Sequence, residues 1–360
     1  MFVVLCLAVL TFGCVAHETP KQSSGIVKFA ENFQIIPHEG YTILKVREDG
    51  NWKTYILYKD KPPSGVEGTP IKVPVKRLVV MSSTHIAQLE AINGTNAIVG
   101  IMWGHRYRIY FPDIVKRLNN GSIVDLGPPN APDYERLLEL HPDLVVIFVS
   151  SGMGTEKVRE KLKELGIPYI VDSEWLEKDP LARAEWVKFF GALLCKEKQA
   201  EKYFDKIVKN VEETKRIVEK AKSKPKVVWA WIWKGKIYVP RGNSYVARMI
   251  EEYAGGKYVF DDLNGTGYAI VNIEDLILRV KNADVLIVPS YTAKSLKDLE
   301  ELEPRLKEIK AFRDGRVYAI TEDYWQLGLL HTDVVIRDLA AILHPNLFKD
   351  YKPRFFVRLT

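Results

Sequence analysis

Short apolar segments and amphipathic segments alternate through most of the chain, beginning near Lys72. The apolar segments, among them RLVVMSS, AIVGIMW and DLVVIFVSS, are rich in β-branched residues. Such runs are typical of parallel strands that are buried on both faces of a sheet. The segments between them, such as YERLLELH and TEKVREKLKELG, place apolar residues at helical spacing. This pattern predicts an α/β fold in which helices cover both faces of parallel sheets.

A long helical segment interrupts the alternation. Residues 176–222 show no strand pattern and keep helical spacing for tens of residues, with Glu and Lys on the outer face. A second series of strands and helices follows Pro225. We therefore predict two Rossmann-like lobes with parallel sheets, connected by a single long backbone helix. The alternative is a pair of unrelated α/β domains that are joined by a helix.

The region before the first lobe has another pattern. The segments YTILKV and WKTYILYK alternate apolar and polar residues, which predicts two strands joined as a hairpin around residues 48–51. The pattern assigns no role to this extension. The predicted organisation is a leader at 1–14, a flexible tether at 15–25, a β-rich extension at 26–70, an N-terminal lobe at 71–175, a linking helical segment at 176–222, a C-terminal lobe at 223–345 and a tail at 346–360.

The first fourteen residues resemble a lipoprotein leader. An uninterrupted apolar run from Phe2 to Phe12 is too short to span a bilayer as a permanent helix. It is followed by Gly13 and Cys14, and at a lipoprotein processing site such a cysteine is lipidated. Thr11 stands where Leu is usual, and a buried N-terminal strand is the alternative. We expect a lipid-anchored protein on the extracytoplasmic face of the cell membrane.

Composition and motifs exclude several classes of protein. The 47% hydrophobic and 27% charged content is typical of soluble globular proteins. The formal net charge is +6, but the basic residues form no stripe, so we predict no nucleic-acid partner. Cys195 is the only cysteine outside the predicted leader, which excludes a fold held by an internal disulfide or a cysteine cluster. Nucleophile elbow, Walker loop and HExxH motifs are missing, so we predict a binding protein, with a chelatase-like two-lobed enzyme as the alternative.

A linked series of segments carries a specific resemblance. It includes RLVVMSSTHIAQLEAI, PNAPDYERLLELHPDLVVI, GKIYVPRGNSYVARMIEEYAGG and IEDLILRVKNADVLIVPS, in this order. Over residues 71–348 the chain resembles the periplasmic binding proteins for ferric siderophores, heme and cobalamin. The resemblance implies a monomer, tethered to the membrane, that delivers a ligand to the permease and ATPase subunits of an ABC importer. It implies no intrinsic cofactor and a ligand that is an iron chelate, such as a ferric siderophore or a citrate-like anion; a corrinoid or heme is the alternative.

A glutamate stands near the start of one helix in each lobe. Glu135 lies in DYERLLELHPDLVVI and Glu274 in NIEDLILRVKNADVLIV, two copies of the same pattern. The resemblance implies that these carboxylates dock onto arginines of the permease. The alternative is that both stabilise the positive end of a helix dipole, which is worth ~0.3–1 kcal/mol each.

The ligand is expected at the loops that follow the strands, because ligands of open α/β sheets bind at the carboxyl ends of strands. The loop MWGHRYRIY, which begins at Met102, holds three aromatic side chains, two arginines and one histidine. Arginine forks bind oxygen-rich anions and aromatic faces cover flat organic surfaces, although a solvated loop is the alternative. Trp231 alternates with two other tryptophans along one predicted strand. The candidate ligand-binding residues are Trp103, His105, Arg106, Tyr107, Arg108, Trp231, Tyr238, Arg241, Tyr291, Trp325 and His331.

The sequence allows one kind of metal ligation by protein side chains, namely axial ligation of a heme iron. His85, His105 and His331 are not at the spacing of a zinc site, so a dedicated site for a bare metal ion is not expected. Axial ligation of heme iron by His105, His331, Met102 or a tyrosine is compatible with the sequence. A structural or adhesive surface protein would keep the lipid anchor but would need no cleft lined by arginines and aromatic residues.

Overall fold

The computed structural model describes residues 26–103, 108–233 and 236–360. The predicted leader with Cys14, and three of the candidate ligand residues, His105, Arg106 and Tyr107, lie outside the described residues. Within the described ranges, none of the helices combines the length and the apolar composition that crossing a membrane requires.

The extension forms a sheet of four strands in sequence order. The predicted hairpin is present, because Asp49 and Gly50 form a two-residue turn with φ of 48° and 81°. These positive φ values suit the turns that match the twist of a hairpin. The structure adds a strand on each side of this pair. The four strands are β1 (Phe33–His38), β2 (Tyr41–Glu48), β3 (Asn51–Tyr58) and β4 (Thr69–Lys72).

The first lobe is a five-stranded parallel sheet in the order β7-β6-β5-β8-β9. Successive residues of β5 enter different cores: Leu78 and Val80 belong to the main core, and Val79 to a smaller one. The strands are therefore buried on both faces, as their composition predicts. The strands are β5 (Leu78–Val80), β6 (Ile98–Ile101), β7 (Val124–Asp125), β8 (Leu144–Ile147) and β9 (Tyr169–Val171), and the helices are α1 (Ser83–Ala91), α2 (Pro112–Asn119), α3 (Tyr134–Glu139) and α4 (Glu156–Glu164).

The linking segment consists of two short helices and one long helix, α5 (Pro180–Glu185), α6 (Val187–Leu194) and α7 (Glu197–Val218). It also anchors the extension. The buried carboxylate of Glu185 accepts hydrogen bonds from the backbone N–H groups of Lys28, Phe29 and Ala30 at 2.6–3.0 Å. Phe33 packs its ring 4.7 Å from that of Trp186. These contacts join the extension, for which the sequence gives no role, to the main core.

The second lobe has a five-stranded sheet in the order β13-β10-β15-β16-β17 and a small antiparallel sheet. The last strand, β17, comes from the predicted tail and pairs antiparallel with β16. Its strands are β10 (Lys226–Trp229), β11 (Trp231–Trp233), β12 (Lys236–Pro240), β13 (Lys257–Tyr258), β14 (Tyr268–Val271), β15 (Val285–Pro289), β16 (Val317–Ile320) and β17 (Phe356–Arg358), and its helices are α8 (Tyr245–Arg248), α9 (Ile273–Val280), α10 (Leu296–Leu302), α11 (Lys310–Arg313), α12 (Tyr324–Leu327) and α13 (Thr332–Leu343).

The segment KVVWAWIW, expected as one strand, is divided at Ala230. Strand β10 belongs to the parallel sheet, whereas β11 pairs with β12 in the small sheet. Trp229 is fully buried in the core, while Trp231 reaches the space between the lobes. The shared face that alternation suggests is therefore interrupted, because the chain changes sheets between the two residues.

Candidate ligand-binding cleft

A cavity of about 710 Å³ lies between the two lobes. This volume is in the range of small-molecule sites, roughly 300–1,000 Å³. Both lobes contribute to its wall, and aromatic side chains are the largest group. The lining residues are Ser83, Ile86, Ile101, Met102, Trp103, Arg108, Ile109, Tyr110 and Met153 from the first lobe, and Trp231, Tyr268, Tyr291, Glu322, Trp325 and Gln326 from the second.

Most of these residues follow the carboxyl ends of parallel strands. Trp103 comes after β6, and Trp231 and Tyr291 come after β10 and β15. In each lobe the first strand, β5 or β10, lies between two strands that both come later in the chain, so the strand order reverses direction beside it. Crevices open at such switch points of an α/β sheet, which explains why the cleft lies there.

Trp103 adopts a backbone conformation that is unusual for a bulky residue. Its φ is +85°, and its N–H donates to the carbonyl oxygen of Gly127 at 2.8 Å. A left-handed conformation at a non-glycine residue costs on the order of 1–3 kcal/mol, and such strain is concentrated at functional sites. The loop holds this indole at the wall of the cleft despite that cost.

The aromatic side chains of the second lobe support one another. The ring of Trp231 stacks on that of Tyr238 at 5.2 Å and meets the ring of Tyr268 edge-on at 4.2 Å. Trp325 contacts Tyr324 edge-on at 5.2 Å. Such offset and edge-to-face pairs are worth ~0.5–1.5 kcal/mol beyond their buried area. Tyr238 itself is outside the cavity wall, so its contact with Trp231 supports a lining residue from behind.

Among the described residues, one cation and one anion line the cleft. The guanidinium carbon of Arg108 lies 4.9 Å from the centre of the Tyr110 ring. Glu322 accepts a hydrogen bond from the Tyr110 hydroxyl at 3.1 Å. The other described lining residues are uncharged, and most of them are aromatic or apolar. Arg108 is the described member of the predicted arginine pair, and Arg106 lies outside the described residues.

Two further candidate residues, besides Tyr238, lie away from the cavity. Arg241 donates hydrogen bonds to the backbone carbonyl oxygens of Asn264 at 2.9 Å and Tyr268 at 3.3 Å, and it is not part of the cavity wall. His331 is half-buried at the start of α13, with its ring 6.1 Å from that of Phe355. Burial lowers the pKa of His331. The structure therefore brings together Trp103, Arg108, Trp231, Tyr291 and Trp325 at the cleft wall, but not Tyr238, Arg241 or His331.

The other described histidine with candidate chemistry is buried as well. His85 is buried in α1, with its Nε2 atom 3.6 Å from a carboxylate oxygen of Asp172. Burial lowers the pKa of His85 to about 3, so the imidazole is neutral. No group of three or more His, Cys, Asp or Glu side chains suited to a metal ion occurs in the part of the chain that the structure describes.

Two polar residues of the cleft, Gln326 and Glu322, are not among the residues predicted from the sequence. The side-chain amide of Gln326 accepts a hydrogen bond from the Tyr110 N–H at 2.9 Å and donates one to the Arg108 carbonyl oxygen at 2.7 Å. This pair of bonds, here called the inter-lobe latch, joins the two lobes across the cleft. Glu322 lies four residues earlier, before the start of α12, and bonds to Tyr110. Both residues lie close to Trp325 in the segment that follows β16, so the rule that selects Trp325 also applies to them.

The acidic residues of the repeated pattern fall into two groups with different positions in the structure. Asp143 and Asp284, just before β8 and β15, accept hydrogen bonds from backbone N–H groups next to β5 and β10 at 2.8–2.9 Å. These aspartates tie neighbouring strands together. Glu135 and Glu274 stand on the exposed first turns of α3 and α9 instead.

In both helices a residue other than the glutamate occupies the N-cap position. Asp133 accepts from the N–H of Arg136 at 3.0 Å, and Asn272 from that of Asp275 at 2.7 Å. The capping role is thus already provided. Glu274 also pairs with Arg305 at 3.2 Å, and a hydrogen bond from its own backbone N–H and then Arg305 lower its pKa.

Comparison with known proteins identifies the family. Residues 78–324 match the family model described as periplasmic binding protein. An uncharacterized lipoprotein of Methanocaldococcus jannaschii is 43% identical, with 99% of this chain and 95% of that protein covered. The chain belongs to the periplasmic binding protein family.

Solved structures share the fold of this periplasmic binding protein. A periplasmic heme-binding protein from Pseudomonas aeruginosa aligns with a TM-score of 0.62 at 18% identity, covering 79% of this chain and 98% of that one. A periplasmic vitamin B12-binding protein of Vibrio cholerae gives a TM-score of 0.58 at 14% identity, covering 77% and 99%. The family and these neighbours are substrate-binding proteins and not enzymes, as the sequence predicts. The predicted two-lobed α/β fold is confirmed.

Proposed function

We propose that this periplasmic binding protein is the lipid-anchored, extracytoplasmic subunit of an ABC importer, and that it captures a metal-organic chelate with a broad flat surface. The observation that carries the proposal is the aromatic wall of the inter-lobe cleft, to which both lobes contribute. Apolar and aromatic side chains with a few polar groups are the usual lining of a site for a small organic ligand. Heme or a corrinoid fits this wall best.

An anionic ferric chelate, such as a siderophore or citrate complex, is the second candidate. The observation that favours it is Arg108, whose guanidinium fork suits carboxylate or phenolate oxygens. Glu322 in the same wall carries the opposite charge and would repel an anion, so the wall suits a neutral face of the ligand better than a multiply charged one.

The experiment that tests the function is a spectroscopic titration of the purified mature protein. Heme, cyanocobalamin and ferric citrate are added in turn, and binding is followed by the absorption of each chelate. Saturable binding of heme or cyanocobalamin, without binding of ferric citrate, supports a tetrapyrrole ligand. Saturable binding of ferric citrate alone supports the second candidate. If none of the three chelates binds, both candidates are rejected.

Export and anchoring should depend on Cys14. The relative from Methanocaldococcus jannaschii is named a lipoprotein, which supports this interpretation of the leader. The Cys14→Ser protein should move from the membrane fraction to the soluble fraction, with its ligand binding intact, because the substitution removes the lipidated thiol. Cell fractionation followed by immunoblotting measures this, with Cys195→Ser as the control. A Cys14→Ser protein that stays in the membrane fraction contradicts the lipid anchor.

The inter-lobe latch should slow release of the ligand. Gln326→Ala removes both hydrogen bonds between the lobes, each worth about 0.5–1.5 kcal/mol. We expect the dissociation rate to rise roughly 5- to 150-fold, as measured by a stopped-flow chase with excess competitor. Gln326→Glu keeps the acceptor for Tyr110 and should give an intermediate rate. Equal rates in the wild type and in both variants would show that these bonds do not resist opening of the cleft.

A further inference from the structure

A second cavity, of about 220 Å³, adjoins the cleft on the side of the linking helices. Tyr268 and Trp325 line both cavities, so these two rings form the boundary between them. We call this second cavity the side chamber. Its wall comes from the end of the first lobe, from α5 and from the second lobe; the residues used below are Glu174, Arg183, Tyr245, Leu329 and Val335.

A buried ion pair forms one wall of the side chamber. The Nε atom of Arg183 donates to a carboxylate oxygen of Glu174 at 2.6 Å, and both side chains are largely buried. The guanidinium carbon lies 4.0 Å from the centre of the Tyr245 ring. The charge of Arg183 is therefore already met by a carboxylate and an aromatic face. Because the pair is neutral as a whole, the chamber does not require an anion from the ligand.

Most of the rest of the wall is aromatic or aliphatic, and it also includes Thr84, Ser244 and Thr332. The hydroxyl groups of these three residues form hydrogen bonds within the protein. Tyr245, Tyr268, Tyr324 and Trp325 present rings to the chamber, and Leu329 and Val335 add apolar surface from the end of the second lobe. A dry apolar cavity of roughly 150 Å³ is large enough to bind benzene. At about 220 Å³ the side chamber has room for a six-membered ring or a small fused ring.

We propose that the side chamber is an accessory pocket for a neutral aromatic ring that the ligand carries as an appendage. The inference rests on the proposed function, because the flat body of the same ligand would occupy the cleft. Its direct support is the chamber's size, its aromatic wall and the neutral ion pair. A ring of the benzimidazole or indole type has the required size and lack of charge, and it would stack against Tyr268 or Trp325 at the boundary.

Indole is the first probe, since it requires no metal chelate. Binding to the purified mature protein is measured by calorimetry and by NMR line shifts. We expect saturable binding that weakens roughly tenfold or more in Val335→Phe, whose added ring fills the chamber. Val334→Phe, on the same helix but outside the chamber wall, is the matched control. Leu329→Phe places a ring in the chamber from a different position in its wall, and it is used instead if the Val335→Phe protein does not fold.

The assignment fails if the wild type does not bind indole, or if the filled variants bind it as well as the control does. It also fails if Trp231→Ala, which changes a residue that lines the cleft and not the chamber, abolishes indole binding while Val335→Phe leaves it unchanged.

Two corrinoids separate this inference from the proposed function. Cyanocobalamin carries a benzimidazole appendage, whereas dicyanocobinamide shares the corrin ring and lacks that appendage. Val335→Phe should weaken cyanocobalamin binding roughly tenfold and leave cobinamide binding unchanged. Equal losses for both corrinoids overturn the accessory pocket. If neither corrinoid binds to the wild type while indole does, the corrinoid form of the function fails and the pocket stands.

Discussion

Replacement of Trp231 with alanine should weaken binding of a tetrapyrrole ligand by about 2–4 kcal/mol, on the order of 30- to 1,000-fold. Trp231 is held by Tyr238 and Tyr268 at the wall of the cleft, so its indole presents a rigid flat surface. Aromatic anchors in the centre of a site carry most of the binding energy. Trp325→Ala should have an effect of the same order, because this ring also faces the cleft. Titration of heme and cyanocobalamin against the purified variants measures both effects.

The control is Trp52→Ala in the extension, where the indole is 38% exposed and outside the cleft wall. It should bind like the wild type. Arg108→Ala distinguishes the two candidate ligands. For a tetrapyrrole its effect should be small. An anionic ferric chelate would cover Arg108, which is otherwise exposed, and bury it against the chelate's oxygens, so loss of this charge partner should cost ~2–5 kcal/mol and exceed the effect of Trp231→Ala. If Trp231→Ala and Trp325→Ala bind every ligand as well as the wild type, the aromatic wall is not the binding surface.

Uptake of the ligand into cells should be lost when Glu135 and Glu274 are both replaced with arginine, while the purified protein keeps its affinity. Both carboxylates are exposed on the first turns of α3 and α9, away from the residues that line the cleft. If they dock onto cationic residues of the permease, arginine creates like-charge repulsion, which costs several kcal/mol at an interface. Each single variant should reduce uptake less than the double variant. Uptake of labelled ligand and equilibrium binding are measured in parallel.

Glu139→Arg is the matched control, because Glu139 is an exposed acid on the same helix as Glu135. It changes the net charge by the same amount as each single variant and should leave uptake near the wild-type level. A loss of affinity that equals the loss of uptake would assign Glu135 and Glu274 to the fold or to the cleft. Normal uptake by the double variant would exclude both residues from docking.

The strands and helices were largely predictable because burial leaves a periodic record in the sequence. Apolar runs such as DLVVI mark strands covered on both faces, and β8 is fully buried. The hairpin turn at Asp49–Gly50 follows from residues that tolerate positive φ. Pro304 divides the amphipathic segment LEELEPRLKEI: helix α10 ends at Leu302, and a 3-10 turn follows at Pro304–Glu308. Proline removes a backbone donor and clashes with the preceding turn.

The candidate site was predictable only at the level of loops. The rule that ligands bind beyond the carboxyl ends of strands selects the segments containing Trp103, Trp231, Tyr291 and Trp325, and all four line the cleft. The same rule does not distinguish Arg241, which satisfies backbone carbonyl groups instead.

By itself, the sequence determined that two α/β lobes are joined by helices and which loops face the space between them, because periodicity and local turn chemistry are recorded residue by residue. Only the tertiary structure decided which side chains meet there. Trp229 and Trp231 separate because the chain changes sheets at Ala230, and Gln326 reaches the first lobe across more than two hundred residues of chain. Such contacts depend on how distant elements pack, and no local pattern in the sequence records that packing.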